Sequence, residues 1–316
     1  MTDIQLTYKQ QSIRPQPDET VLDCLLREGI SVPHGCRAGA CQSCAMILDS
    51  GGVDDDCQRG LSSAQREQGL FLSCLCHPTE SLTFHPPSVE ELWRRCRVID
   101  RHWLTTDILR LRLNYSGSWR AGQYVTLSLD GQQSRCFSAA NHSGSEAFLE
   151  LHIRHYRNGV ISAALAKTEN TKPDILVSRP VGEGYIDPRS ERHILCIAQG
   201  TGLAPARGFM QQLAMEHSTQ AFTLVGLLQA KDESYWQYIN AEVADSAWKT
   251  QLLLYKDQLP LQNLVEFLKS SVSDWRQQQV YLFGSELFIQ QTQKICALQG
   301  ASRQQIFQEA FLAAPL

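Results

Sequence analysis

Pro33-His34-Gly35-Cys36-Arg37-Ala38-Gly39-Ala40-Cys41-Gln42-Ser43-Cys44 is the most informative stretch of the chain. Its three thiols are spaced Cys36-x4-Cys41-x2-Cys44, and Gly35, Gly39 and the small Ala38 and Ala40 lie around them. Such residues let a backbone curl close to a bound group and turn its amide N–H groups toward sulfur. Beyond this loop, seven of the 11 cysteines fall in the first 87 residues: Cys24, Cys36, Cys41, Cys44, Cys57, Cys74 and Cys76. An odd total cannot pair completely. Crowded thiols behind an N-terminus with no basic and apolar leader pattern point to metal or cluster ligation rather than disulfides.

A remote fourth thiol completes the set. Cys74 follows Cys44 after 29 intervening residues, and Cys76 is the other choice within Leu72-Ser73-Cys74-Leu75-Cys76-His77-Pro78. Three close ligands and one distant one form the plant-type arrangement for a 2Fe–2S cluster, whose tetrahedral irons each take two thiolates beside two bridging sulfides. Zinc sites pair one Cys-x2-Cys with a second, or with His, and the sequence holds no second such pair.

The whole chain has 316 residues, 43% hydrophobic and 20% charged, enough apolar material for two or three folded domains and too much for wholesale disorder. Its net charge of −4 shows no basic footprint, so no nucleic-acid partner is expected. The acidity is local: residues 1–87 hold 6 Lys/Arg against 11 Asp/Glu, whereas the other 229 hold 23 against 22. The longest apolar runs, such as Leu224-Val225-Gly226-Leu227-Leu228, are far short of the roughly 18 residues of a spanning helix. A cytoplasmic protein without a membrane span is expected.

Hydrophobic rhythm divides the chain into residues 1–87, 89–188 and 189–316, with His85-Pro86-Pro87-Ser88 as the first linker. In the first part, Ile4–Tyr8 alternates like a strand and Thr20–Gly29 reads as a short amphipathic helix. The second part is strand-rich, with alternation at Ile108–Leu113, Tyr124–Leu129 and Leu149–Arg154, and predicts a small antiparallel barrel. In the third, the buried-type strand His193–Ala198 runs into Gly200-Thr201-Gly202-Leu203-Ala204-Pro205, ahead of a helix over Ala206–Glu216. Further strands at Phe222–Val225, Leu252–Tyr255 and Val280–Phe283 predict an α/β parallel sheet.

The cysteine loop resembles the plant-type ferredoxin domains that precede a flavin reductase, and the later motifs extend the resemblance over essentially the whole chain. Arg135-Cys136-Phe137-Ser138 resembles the Arg-x-Tyr-Ser element of ferredoxin–NADP⁺ reductase-like flavin domains. Ile153-Arg154-His155-Tyr156-Arg157-Asn158-Gly159-Val160-Ile161-Ser162 resembles their Gly-x-x-Ser turn, and Gly200–Pro205 their nucleotide loop. The resemblance implies a multidomain α+β and α/β protein: a β-grasp ferredoxin domain, an antiparallel flavin barrel and a parallel-sheet NAD(P) domain.

It also implies roles. The family's distal ligand opens a Cys-x-x-x-Pro segment, which makes Cys36, Cys41, Cys44 and Cys74 the cluster ligands and leaves Cys24, Cys57, Cys96, Cys136, Cys196 and Cys296 as packing residues. Arg135 supplies a fork for the flavin pyrophosphate, Phe137 a stacking face in place of the usual Tyr, and Ser138 a hydroxyl near flavin N5. Ile153, Gly159, Val160, Ile161 and Ser162 form a helix N-terminus for phosphate, and Gly200, Thr201, Gly202 and Pro205 a second one for the nucleotide. Gly284 lies beside the nicotinamide, where Phe283 replaces the family's Cys. In the tail Ile306-Phe307-Gln308-Glu309-Ala310-Phe311, Phe311 matches the terminal Glu-x-Phe and joins Ser138 at the reacting face.

A ferredoxin module placed first favours FAD over FMN. Leu228 stands where the family commonly has an Arg for the adenosine end, and Asp232 and Glu233 flank Lys231, so NADH is favoured, with NADPH not excluded. The relatives closest in plan are one-chain reductase components of bacterial multicomponent oxygenases. The expected activity is electron transfer from NADH through FAD and a 2Fe–2S cluster to an oxygenase or another electron-accepting protein, with Asp54-Asp55-Asp56 offered to a basic patch on that partner. Other acceptors (a sugar-deoxygenating dehydratase, a P450, a separate ferredoxin) and a slow-turnover redox sensor are the alternatives.

Overall fold

A computed structural model describes residues 4–61, 63–88, 93–156, 159–167, 174–182, 184–186, 190–241 and 248–311. The two expected boundaries, after residues 87 and 188, adjoin or fall within segments 89–92 and 187–189, which lie outside the described residues.

The first sheet has the order β2-β1-β5-β3-β4, built from β1 (Leu6–Tyr8), β2 (Gln11–Ile13), β3 (Ala45–Ser50), β4 (Leu70–Leu72) and β5 (Leu82–His85). β1 and β5 are parallel and the other pairs antiparallel. The helix Val21–Arg27 packs Val21, Leu22, Cys24 and Leu25 into this unit's core, which is the β-grasp arrangement. The Thr20 side chain caps it, accepting from the Asp23 N–H at 3.1 Å.

The second unit is a six-stranded antiparallel sheet in the order β10-β7-β6-β11-β8-β9. Its strands are β6 (Trp93–Trp103), β7 (Ile108–Leu113), β8 (Tyr124–Ser128), β9 (Ser134–Ser138), β10 (Leu149–Arg154) and β11 (Asp174–Ser178). A bridge between Ala139 and Leu151 joins the end of β9 to β10 and closes the sheet into a barrel around Leu109, Leu111, Val125, Leu127 and Val177. The eleven-residue β6 has no apolar alternation along Arg94-Arg95-Cys96-Arg97, which explains why the sequence pattern does not announce it.

The third sheet is parallel throughout, in the order β14-β13-β12-β15-β16. It comprises β12 (His193–Gln199), β13 (Phe222–Gln229), β14 (Lys249–Tyr255), β15 (Gln278–Gly284) and β16 (Ile306–Ala310). Cores lie on both of its faces, one around Phe209, Tyr235 and Phe283 and the other around Leu264, Val280 and Phe288. Strand order reverses between β12 and β15, so their carboxyl ends frame the crevice where such sheets take ligands. The helix after β12 starts at Leu203, three residues before the sequence pattern suggests, because Gly200–Gly202 form a 3-10 turn that runs directly into it. The tail is a strand, β16.

A buried polar cluster ties the barrel to the third unit. Glu150 of β10 accepts from Arg112 (2.6 Å), His152 (3.1 Å) and Tyr238 (2.9 Å), and Arg207 of the helix Leu203–Met215 approaches it at 3.2 Å. His152 in turn meets the Tyr235 hydroxyl at 2.8 Å. Burial opposes ionisation of Glu150, yet His152, Arg207 and Arg112 outweigh it and hold the carboxyl below its usual range. Burial also pushes the His152 imidazole down, against the pull of Glu150.

Candidate functional site

Gly35 to Cys44 forms a loop on the first unit. Arg37, Gly39 and Gln42 adopt left-handed backbone conformations (φ 53°, 80° and 53°) that fold it tightly, and a Cβ on Gly39 would meet Leu75 Cδ1 at 2.6 Å. Amide groups point at sulfur, as the small residues suggest: Ala38 and Cys41 N–H donate to Cys36 Sγ at 3.4 and 3.3 Å, and Cys36 N–H donates to Cys41 Sγ at 3.5 Å.

The thiols perturb one another in two pairs, Cys36 with Cys41 and Cys44 with Cys74. Among the described residues no three Cys, His, Asp or Glu groups converge as around a single ion. Two pairs suit two irons with two thiolates each. Cys76 is buried, its carbonyl accepts from the Val21 N–H at 2.8 Å, and the thiol that perturbs it is Cys57 rather than one of this loop.

The loop rests on the β8–β9 hairpin of the barrel. Tyr124 Oη donates to the Ala40 carbonyl (3.1 Å) and Thr126 Oγ1 to the Cys41 carbonyl (2.9 Å), while the Ser43 and Ser134 hydroxyls share a hydrogen bond at 2.6 Å. The approach is close enough that a Cβ on Gly35 would lie 2.6 Å from the Ser134 carbonyl oxygen. Only glycine fits there.

The same hairpin carries the expected flavin residues. Strand alternation puts Ser134, Cys136 and Ser138 on one side and Arg135 and Phe137 on the other. Phe137 is half-buried against the barrel core, and Arg135 donates to the Ser134 carbonyl at 2.6 Å. Ser138, at the end of β9, donates to Glu309 Oε1 of β16 at 2.9 Å. Glu309 as a residue is only partly covered, but its carboxylate end is buried and Oε2 has no hydrogen-bond partner among the described residues. Burial pushes this carboxyl up to about 7, against the Ser138 hydrogen bond. An orphaned buried oxygen facing the barrel edge suits a site completed by a bound group.

The sequence does not single out Glu309. It stands in the Glu-x-Phe tail, whose likeness to the family centres on Phe311. The structure ties Phe311 to the same place, its N–H donating to the Gly284 carbonyl at 2.7 Å. Gly284 admits no side chain: a Cβ would lie 2.6 Å from Phe288 and 2.8 Å from Gln199. Gly202 likewise lies over β15, its would-be Cβ 2.4 Å from the Phe283 carbonyl oxygen. Thr201 is partly exposed at this turn, and Pro205 is buried in the first turn of the helix. The Gly200–Gly202 turn, Gly284 and the β16 tail therefore meet at the reversal point of the third sheet.

Phe283 itself is core, packed against Phe209 with ring centroids 5.8 Å apart. Leu228 is fully buried in the same core. The segment after it is not a freely solvated loop: Lys231 pairs with Asp107, and the buried Asp232 accepts from Arg154 at 2.6 Å. Arg154 also reaches Asp107 at 2.8 Å.

The other expected phosphate element, Gly159–Ser162, lies at the start of the helix Val160–Lys167. The Ser162 hydroxyl accepts from the Tyr156 N–H at 3.2 Å, and a Cβ on Gly159 would strike it at 2.4 Å. Ile153 and Ile161 are core residues, so only their backbone groups are offered outward, while Val160 is exposed. Arg157 and Asn158 of the quoted stretch lie outside the described residues.

Comparison with known proteins agrees with this layout. Residues 4–79 match the 2Fe-2S iron-sulfur cluster binding domain and residues 95–185 the oxidoreductase FAD-binding domain. The chain is 32% identical over 219 residues to the ferredoxin–NAD(+) reductase component of the alkene monooxygenase system of Xanthobacter autotrophicus, covering 63% of this chain and 67% of that protein. It is 29% identical over 220 residues to reductase component 2 of terephthalate 1,2-dioxygenase from a Comamonas species, covering 66% of this chain and 65% of that one. It thus spans just under two thirds of that relative's length. The ferredoxin reductase in carbazole 1,9a-dioxygenase superposes with a TM-score of 0.65 at 21% identity over 98% of each chain, a likeness of fold. No described helix is long and apolar enough to cross a membrane.

Proposed function

The chain belongs to the ferredoxin-reductase-like flavoproteins that carry a plant-type 2Fe–2S domain, and from that membership we propose that it is an NADH-dependent reductase delivering single electrons to a protein partner. The observation that carries this reading is the shared hairpin β8–β9, which holds the loop of Cys36, Cys41 and Cys44 at Tyr124, Thr126 and Ser134 and ends in Ser138 at the nucleotide crevice. When bound, FAD accepts electrons in pairs from a nicotinamide and the 2Fe–2S cluster carries them singly, the conversion a two-electron donor and a one-electron acceptor require.

This chain's own residues supply positions and a proton. Cys36, Cys41, Cys44 and Cys74 hold the cluster. Arg135, Phe137 and the Gly159–Ser162 turn bind FAD, and Gly200, Thr201, Gly202, Pro205 and Gly284 seat the nicotinamide nucleotide. The Ser138–Glu309 pair keeps an exchangeable proton beside the reacting face, since burial favours the neutral carboxyl. Phe311 covers that face. The dinucleotide is NADH, because Leu228 offers no cation and Lys231 and Arg154 are already engaged by Asp107 and Asp232.

In this reading residues 1–87, 89–188 and 189–316 are the three domains, the setting is cytoplasmic, and the partner is the terminal component of a multicomponent oxygenase, as in the relatives' names. Anaerobic titration of the purified protein with NADH tests it. The flavin absorbance bleaches as a rhombic reduced-cluster signal grows in the electron paramagnetic resonance spectrum, and NADPH does the same only at much higher concentration. Protein that retains neither flavin nor iron after reconstitution, or whose spectrum ignores NADH, overturns the reading.

A further inference from the structure

Gln199, the last residue of β12, reaches across the carboxyl ends of the third sheet. Its Oε1 accepts from the N–H and the hydroxyl of Ser285, at 3.1 and 2.8 Å, and its Nε2 donates to the Tyr255 hydroxyl at 3.2 Å. Ser285 follows β15 and caps the helix Glu286–Leu298, whereas Tyr255 ends β14, on the far side of β13. One side-chain amide thus ties β14, β12 and β15 together. The bare Gly284 makes room for it, since a Cβ there would come within 2.8 Å of Gln199 Cβ and 3.1 Å of Oε1. A backbone N–H can only donate, so the atom facing Ser285 is the amide oxygen and the one facing Tyr255 is the nitrogen. The Tyr255 oxygen therefore accepts, and its own hydrogen points elsewhere. Among the described residues neither that hydrogen nor the second hydrogen on Gln199 Nε2 has an acceptor.

We propose that Gln199 and Tyr255 bind the adenosine half of the dinucleotide, donating to the oxygens of its phosphate and ribose. The inference rests on the NADH reading above and adds the residues that grip the end Leu228 leaves without a cation. Three places along the crevice set the order. Gly284, at the end of β15, takes the nicotinamide, and the Gly200–Gly202 turn, which opens the helix Leu203–Met215, takes the diphosphate on its N–H groups. The end of β14 comes last, on the opposite side of β12 from β15. A dinucleotide laid over these in turn brings its adenosine ribose to Tyr255. Gln199 and Tyr255 are both partly exposed, so a ligand can reach them. They act as one unit, because the Gln199 amide sets the direction of the Tyr255 hydroxyl hydrogen.

The test is calorimetric binding of ADP-ribose, the dinucleotide without its nicotinamide, to the oxidised holoprotein. Tyr255→Phe removes only the hydroxyl and raises the Kd roughly two- to tenfold, the worth of one hydrogen bond. Gln199→Ala removes one donor and frees the other to turn, and weakens binding at least as much. The double variant loses less than the product of the two single factors, because both residues act through one hydrogen bond. The KM for NADH rises with the Kd, and the thermal midpoint of ligand-free Tyr255→Phe does not move. An unchanged ADP-ribose affinity in Tyr255→Phe overturns the proposal. So do single factors that multiply in the double variant, or a loss carried by kcat alone. Wild-type protein that takes up no ADP-ribose overturns the NADH reading and this proposal with it, whereas binding that the variants leave intact overturns the proposal alone.

Discussion

Ser138 at the end of β9 donates a hydrogen bond to Glu309 of β16 across 2.9 Å, linking positions 171 residues apart. Through it the flavin-side barrel and the last strand of the nucleotide sheet share one buried polar contact. The carboxyl is the vulnerable partner, because one of its oxygens is buried with no hydrogen-bond donor among the described residues.

That burial has a measurable sign. Glu309 is raised from 4.5 to about 7, so the folded protein keeps the proton longer than the unfolded chain does. The contribution to stability is complete below about pH 4.5 and is lost as pH rises through about 7, on the order of 3 kcal/mol across the window. Glu309→Gln, which cannot ionise, removes the effect. The thermal midpoint of the wild type relative to this variant falls between pH 5 and pH 8, and a difference that ignores pH refutes the assignment.

Cys74 and Cys76 are separated by one residue but should behave oppositely. Cys74→Ser loses iron and acid-labile sulfide while keeping flavin. Cys76→Ser keeps all three, because the thiol that perturbs it is Cys57 rather than one of the cluster loop. Equal iron loss in both variants contradicts the pairing of Cys44 with Cys74.

Gly35→Ala places a methyl group 2.6 Å from the Ser134 carbonyl oxygen and lifts the cysteine loop from the barrel. Iron and flavin contents stay normal, and NADH–ferricyanide turnover, which can draw on flavin directly, is unchanged. Reduction of cytochrome c, which draws on the cluster, drops on the order of tenfold or more, as small displacements of reacting groups do. Equal activity with both acceptors rules out this contact as the site of internal transfer.

Glu150→Gln leaves Arg112, Arg207 and His152 around a neutral amide in the barrel–nucleotide junction. Breaking a buried pair in this way costs about 3 to 5 kcal/mol, read as a lower urea midpoint. Asp56→Asn removes only the exposed pair with Arg59 and leaves the midpoint where it was. Similar midpoints for the two variants contradict a stabilising role for the junction.

The parts legible in the sequence are those that chemistry confines to short stretches. Three cluster thiols and their small neighbours lie within one loop, and each glycine turn follows a strand whose apolar run is visible. Helix Val21–Arg27 is marked by Thr20 before it and Gly29 after it. Partnerships across long loops are another matter. Nothing near Ser138 announces Glu309, nothing near Ala40 announces Tyr124, and β6 hides its pattern behind arginines because its outer face meets solvent. Lys231 to Glu233 looks like any charged loop until Asp107 and Arg154 arrive from the barrel.

The seating of the cysteine loop on Tyr124, Thr126 and Ser134 has a kinetic corollary. In the proposed reductase, hydrogen bonds within one chain set the gap an electron crosses, and no diffusive search precedes that step. Thickening the medium with glycerol therefore slows only the encounter with an outside acceptor, and the dependence on viscosity separates the inner hand-over from the outer one.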